Sequence, residues 1–254
     1  MRYRLWLILL VLGSLFGTLV PGLAVPVAAQ NTGIELAAGA AFSGMYRPGA
    51  WLPVYADLRN EGVDRRVEVR VGADGGPQYA VQVDLPGGGQ KQVTLYVYLP
   101  AIVASLDVFV LDGSRELAFA KVDVDAARGR EQLVGLLSAS GSAPTLPPRL
   151  PNSSPLTVVP LSGADLPDNA LGLSSFSSLL LDDLATADLR PSQLAALEGW
   201  VLRGGRLLIG GGPGAERTLS GLPESLRPAA IGAQRLLPAA TLIGAGAADL
   251  PDLP

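Results

Sequence analysis

Cysteine and histidine are absent from all 254 residues, methionine occurs twice, and Lys91 and Lys121 are the only lysines. Each absence removes a class of chemistry. Without Cys or His, no Cys–His or Ser–His–Asp catalytic site can be assembled. Zinc sites built on those ligands, haem held by a histidine, iron–sulfur clusters and disulfides are excluded with them. Carboxylate, hydroxyl, arginine and backbone chemistry remain.

Charge is also sparse, at 17% of residues and a formal net charge of −4. Residues 1–29 read as a secretory signal: Arg2 and Arg4 form a basic start, Leu5 to Val20 an apolar stretch, and Val27-Ala28-Ala29 a small-residue cleavage site before Gln30. An uncleaved anchor is the competing reading, but the apolar run is broken by Pro21 and is shorter than the roughly 18 residues a spanning helix needs. Removing Arg2 and Arg4 from 19 basic residues leaves 17 against 23 acidic ones, a mature charge near −6. That balance argues against nucleic acid and against an anionic membrane surface as partners. The expected location is extracytoplasmic, secreted or anchored at the cell envelope. Other envelope proteins are the expected partners, no cofactor is expected, and membrane association would come only through an uncleaved signal or a segment missing from this chain.

From Ile34 to Val124 the pattern has a period of two. Val67, Val69 and Val71 alternate with Glu68 and Arg70; Tyr79, Val81, Val83 and Leu85 alternate with Ala80, Gln82 and Asp84. Val93, Leu95, Val97 and Leu99 continue it, as do Leu106, Val108 and Val110. Turn residues separate the runs: Asp74-Gly75-Gly76-Pro77, Pro86-Gly87-Gly88-Gly89 and Asp112-Gly113. About seven half-buried strands at this spacing predict an immunoglobulin-like antiparallel sandwich over residues 30–125, because a sheet with one apolar face must cover it with another. Within it, Tyr46 to Val54 holds a Pro-Gly turn and a Trp entering a strand. This is either an aromatic patch for a sugar or partner or, by the reading preferred here, a loop closing one end of the sandwich with Trp51 plugging the core. Tyr96 and Tyr98 are expected as cross-strand pairs.

Residues 126–130 (Ala126-Ala127-Arg128-Gly129-Arg130) form a linker, after which the period changes. Leu133 to Leu137, Leu156 to Val159, Ser178 to Leu181 and Leu207 to Gly210 are short, continuous apolar runs, as expected for parallel strands buried on both faces. Such strands need crossovers, usually helical. The clearest is Pro191 to Arg203, with Pro191 in the first turn, Leu194, Leu197 and Val201 on one face, Trp200 beside them, and Gly204-Gly205 as the stop. Pro144, Pro147, Pro148 and Pro151 predict a loop, which also carries a glycosylation triplet at Asn152-Ser153-Ser154.

In an open parallel sheet, ligands bind beyond the carboxyl ends of the strands. Two places qualify. Asp182-Asp183 follows the third apolar run and can hold Mg²⁺ or Ca²⁺ through hard oxygen ligands, or act as a general base. Alternatively, one aspartate accepts backbone N–H bonds in the next loop and the other is solvated. The second place is Gly210, Gly211, Gly212 and Gly214, a turn whose amides can cradle a small anion. It lacks the Gly-Lys-Ser/Thr ending of a Walker loop, and Glu216 adds unwanted negative charge, so glycines that permit a tight strand exit are the competing reading.

Phe176-Ser177-Ser178-Leu179-Leu180-Leu181-Asp182-Asp183, then Pro191 to Val201, then Gly204-Gly205-Arg206-Leu207-Leu208-Ile209-Gly210-Gly211-Gly212, together resemble the class I glutamine amidotransferase-like module of large bacterial envelope proteins. The resemblance spans roughly Glu131 to Thr218 and extends to other flavodoxin-like modules. Tyr46 to Val54 is similar to the front β-domain of such proteins, which typically carry a membrane helix further downstream. The resemblance implies a flavodoxin-like α/β domain over residues 131–222. The catalytic Cys and His of active amidotransferases have no counterpart here, so no catalytic residue is carried over. Residues 223–254 read as an irregular tail or the start of a truncated segment.

The expected protein is therefore multidomain β plus α/β, an exported non-catalytic binding or scaffolding module. The alternatives are a carboxylate-based or metal-dependent hydrolase using Asp182 and Asp183, and a small-anion sensor at Gly210 to Gly214.

Overall fold

The computed structural model describes residues 33–138, 154–211 and 214–228. Residues 1–32, most of the proline-rich loop with Asn152, Gly212 and the stretch from residue 229 lie outside them. Among the described residues the strands are β1 (Ile34–Ala40), β2 (Met45–Tyr46), β3 (Ala50–Asn60), β4 (Arg65–Gly72), β5 (Gln78–Leu85), β6 (Gln90–Leu99), β7 (Ser105–Asp112), β8 (Arg115–Asp123), β9 (Asp125–Ala126), β10 (Gln132–Ser138), β11 (Leu156–Leu161), β12 (Ser178–Asp182) and β13 (Arg206–Ile209). The α-helices are α1 (Pro191–Leu202) and α2 (Ala215–Ser220). The chain divides into two compact units, neither continuous in sequence. Among the described residues, one includes 33–39, 55–93 and 105–123; the other gathers 40–54, 94–104 and those from Val124 to residue 228.

In the first unit, β5, β4, β7 and β8 form a four-stranded antiparallel sheet in that order. The alternating valines make its buried face. Val67 faces Val83, and Val69 and Val71 face Val110 and Val108, all at 2% exposure or less. Burying a valine is worth about 1.5 kcal/mol or more, so this row anchors the unit. Val81 occupies the same face opposite Val69 but is 39% exposed, and Tyr79 is only half-buried. The alternation is right for both; β5 is an edge strand, with one neighbour to cover it. A second sheet runs β1-β3-β6, of which residues 50–54 and 94–99 are counted in the other unit. Seven strands of seven residues or more thus lie between Ile34 and Asp123. Several sheets with one buried face each are consistent with a β-sandwich. Asn60 is fully buried at the end of β3, where its Nδ2 donates to the carbonyls of Val63, Leu85 and Pro86 at 2.7–3.1 Å and its Oδ1 accepts from Gly62 N. A buried amide is tolerated only when satisfied in this way.

In the second unit, a parallel sheet has the order β11-β10-β12-β13. Leu133 to Leu137 of the central β10 are all buried, as the unbroken apolar run predicts. The edges depart from that expectation: Leu156 to Val158 are half-buried and Leu208 is 52% exposed, because an edge strand gains cover from one side only. α1 is the crossover from β12 to β13, while β11 reaches β12 through two 3₁₀ turns, Gly163–Asp165 and Ala170–Leu173, in place of an α-helix. The buried face of α1 is Gln193, Ala196, Leu197 and Trp200, with Leu194 and Val201 half-buried. Gln193 sits inside because its Nε2 donates to the carbonyls of Gly163 and Leu166 at 2.8 Å while its Oε1 accepts the Arg190 N–H at 2.9 Å. Gly204, at φ +95°, ends the helix as expected.

Residues 40–54 also belong to this unit. Tyr46, not Trp51, is the buried aromatic: it is 0% exposed, and its hydroxyl accepts the Val103 N–H at 2.7 Å and lies 3.1 Å from the Ala101 carbonyl. Trp51 is half-buried with its ring 5.5 Å from that of Tyr98. Its backbone N–H donates to Ser174 Oγ at 2.9 Å, and the Arg47 backbone N–H donates to Ser175 Oγ at 3.3 Å. The stretch expected to close a sandwich is tied to residues 174 and 175. Phe42, in a left-handed turn at φ +60°, is buried edge-on against Phe176 with centroids 4.8 Å apart.

Candidate functional site

β10 lies between β11 and β12, so the crossovers on either side of it run in opposite directions. In an open parallel sheet this reversal is where ligands bind, outside the strands' carboxyl ends. Ser138 ends β10 there, and in register beside it Asp182 ends β12. Asp183 follows in a left-handed conformation at φ +53°, which a short polar side chain tolerates better than a bulky one.

The turn directs each carboxylate to a different glycine. A Cβ on Gly210 would collide with Asp182 Oδ1, and a Cβ on Gly214 with Asp183 Oδ1. At both positions the carboxylate fills the space a side chain would take, so a larger residue there would have to displace it. Gly210 N also donates to the Leu181 carbonyl at 2.7 Å, which fixes the exit of β13 against β12. Asp183 Oδ1 accepts from Arg217 Nη2 at 2.6 Å, the two side chains being 38% and 52% exposed.

Two threonines hold the base of this arrangement. Thr218, fully buried, accepts the Leu184 N–H at 3.1 Å and donates to the Gly214 carbonyl at 3.2 Å. Thr186, equally buried, donates to the Thr218 carbonyl at 2.8 Å and accepts the Gly221 N–H at 3.0 Å. The loop after β12 and the short α2 are thereby bonded through side chains at both ends.

The structure therefore brings Asp182 to Gly210 and Asp183 to Gly214 and Arg217. Gly211 stands apart, with open space where its Cβ would be, and Gly212 lies outside the described residues. Among the described residues no three His, Cys, Asp or Glu side chains gather as a metal site would require. The sequence reading missed the partnership of Arg217 and the roles of Thr186 and Thr218. Helical spacing held a partial signal, since Gly214, Arg217 and Thr218 stand three and four positions apart on one helix face. Nothing local marks Thr186.

Residues 33–125, less than half of the chain, match a family described as a domain of unknown function (DUF8726). No curated protein matches the sequence. Solved structures with local likeness include the CARDB domain of a Pyrococcus furiosus protein, at 16% identity and TM-score 0.30 over 37% of this chain and 89% of that one. An immunoglobulin-like protein of Pseudomonas aeruginosa matches at 16% identity and TM-score 0.22 over 36% and 91%. An alkylpurine DNA glycosylase of Pseudomonas fluorescens matches at 12% identity and TM-score 0.27 over 36% of this chain and only 30% of the enzyme.

Proposed function

We propose that the chain is a non-catalytic binding or scaffolding module exported to the cell envelope. The observation that carries this reading is the ion pair that engages Asp183, one of the two best-placed carboxylates, within the chain. Asp183 is paired with Arg217, and Asp182 is packed into the space above Gly210. A hydrolase built on these residues would need their oxygens free to bind substrate water or a cation. Arg217 competes for that role.

The finer architecture belongs to the same reading: an immunoglobulin-like sandwich followed by a flavodoxin-like α/β domain related to the class I glutamine amidotransferases. In its support, β11-β10-β12-β13 reads second, first, third, fourth, the beginning of the doubly wound flavodoxin-like order. Fold likeness does not bring activity with it, and neither Cys nor His exists in the chain to serve an amidotransferase. Export rests on the signal-like residues 1–29.

The test is turnover. The full chain, incubated with a chromogenic glutamine analogue and with a nitrophenyl ester, is expected to release chromophore no faster than buffer. Enzyme-dependent release that disappears in Asp182→Asn would overturn the reading.

A further inference from the structure

β5 borders the antiparallel sheet of the first unit, and among the described residues it pairs with β4 alone. The N–H and C=O groups of every second residue along it therefore face outward, a template for another strand. Native edges are normally guarded, as the opposite edge of this sheet is. β8 carries exposed Arg115, Glu116, Lys121 and Asp123, and its register with β7 shifts at Val110 and Leu111. β5 has neither a bulge nor a cation. Its eight residues pair with β4 without a break, contain no proline or glycine, and include a single charge, on Asp84. Lys91 Nζ donates to the Asp84 carbonyl at 3.5 Å, at one end of the strand. Val81, midway along, is 39% exposed on the face where Val67, Val69 and Val71 are buried.

We infer that β5 is an interface between two copies of this chain, joined edge to edge and antiparallel about a two-fold axis at Val81. The order β8-β7-β4-β5 then continues in reverse through the second copy as a single sheet. Side chains alternate between faces, so the apolar face stays continuous only in a register that joins odd residues to odd and even to even. With Val81 against Val81 of the second copy, Tyr79 meets its Val83 and Ala80 its Gln82. The lone carboxylate, Asp84, meets its Gln78, so no like charges oppose each other along the pairing. Self-complementarity of this kind is what a two-fold contact requires, and a strand with one charge offers a differently charged partner little to recognise. β5 lies in the unit that lacks Asp182 and Asp183, so its self-pairing does not depend on the function proposed for them.

The chain holds no cysteine, which makes a cross-link a clean test. Antiparallel pairing brings opposed Cα atoms to about 4.5–5.5 Å, within the span of a disulfide. The full chain carrying Val81→Cys is expected to give a disulfide-linked dimer under mild oxidation, and Glu116→Cys, on the guarded edge, a monomer. In sedimentation equilibrium the wild-type mass should rise from one chain to two between about 1 and 300 µM, as suits a contact below the standard interface size. Val81→Lys and Val81→Glu should each weaken association by roughly tenfold, because like charges meet at the axis. Their equimolar mixture should restore it, which misfolded variants could not do. A wild-type chain that stays monomeric throughout would overturn the interface, and slow hydrogen exchange of the β5 amides in that monomer would assign the edge to another segment of the same chain. A dimer unaffected by Val81→Lys, or one that Val81→Cys fails to cross-link, would overturn it as well.

Discussion

Asp183 combines a left-handed backbone with an ion pair to Arg217, and the two features have opposite energetic signs. A pair this exposed contributes at most about 1 kcal/mol. Alanine in a left-handed conformation costs a further 1–2 kcal/mol or so. Asp183→Ala should therefore destabilise the chain by about 1–3 kcal/mol and Arg217→Met by less than about 1 kcal/mol, both read from urea midpoints. Equal losses in the two variants would show that the backbone turn, and not the charge, is misjudged. Tyr46 makes a prediction with pH. Burial holds its hydroxyl above the usual tyrosine range, outweighing the lowering effect of the Val103 N–H that it accepts. A raised pKa means that the folded state favours the protonated phenol. That contribution is fully present below about pH 10 and is lost as pH climbs through the folded-state value. The wild-type chain should lose stability above pH 10, and Tyr46→Phe should be less stable at pH 7 yet show a shallower alkaline decline in thermal midpoint.

Among elements, α1 shows which features a sequence reveals and which it hides. Pro191 and Gly204 mark its ends because backbone geometry at a helix terminus is a local matter. Its buried face is not local. Gln193 is inside because the carbonyls of Gly163 and Leu166, some thirty residues away, need donors, and no hydropathy pattern reports that. Trp200 is 4% exposed, so Trp200→Ala should cost about 3–5 kcal/mol, whereas Leu202→Lys, at a position 82% exposed, should change stability by less than about 0.5 kcal/mol in the same denaturation assay. Strands divide in the same way. The alternation in β4 and the unbroken run in β10 were legible and are matched by burial, because side-chain period follows from the pleat. Val81 and Leu208 were not, since their exposure depends on which strands lie beside them. Asp182-Asp183 and the turn from Gly210 to Gly214 were legible as two separate places after strand ends; that each carboxylate lies against a glycine of that turn follows from a tertiary approach invisible in the chain.

For the whole molecule, the compact unit holding the parallel sheet also draws on residues 40–54 and 94–104. Phe42 against Phe176, and Arg47 and Trp51 on Ser174 and Ser175, are contacts across more than 120 residues of sequence. Such pairings leave no local signal, which is why Trp51 reads as a core plug from its neighbours alone. A fragment of residues 131–228 lacks every one of these contacts and should give a poorly dispersed amide spectrum and melt without a sharp transition, where the full chain melts cooperatively. A well-dispersed fragment would show that residues 40–54 add little to that unit.

The central claim is that the carboxylate of Asp183, at the sheet's carboxyl end, is engaged within the chain by Arg217. Calorimetric titration of the full chain with Mg²⁺ and Ca²⁺ tests it most directly. Flat isotherms with both ions are predicted; saturable binding that disappears in Asp182→Asn would contradict the account and return Asp182 and Asp183 to the role of ligands.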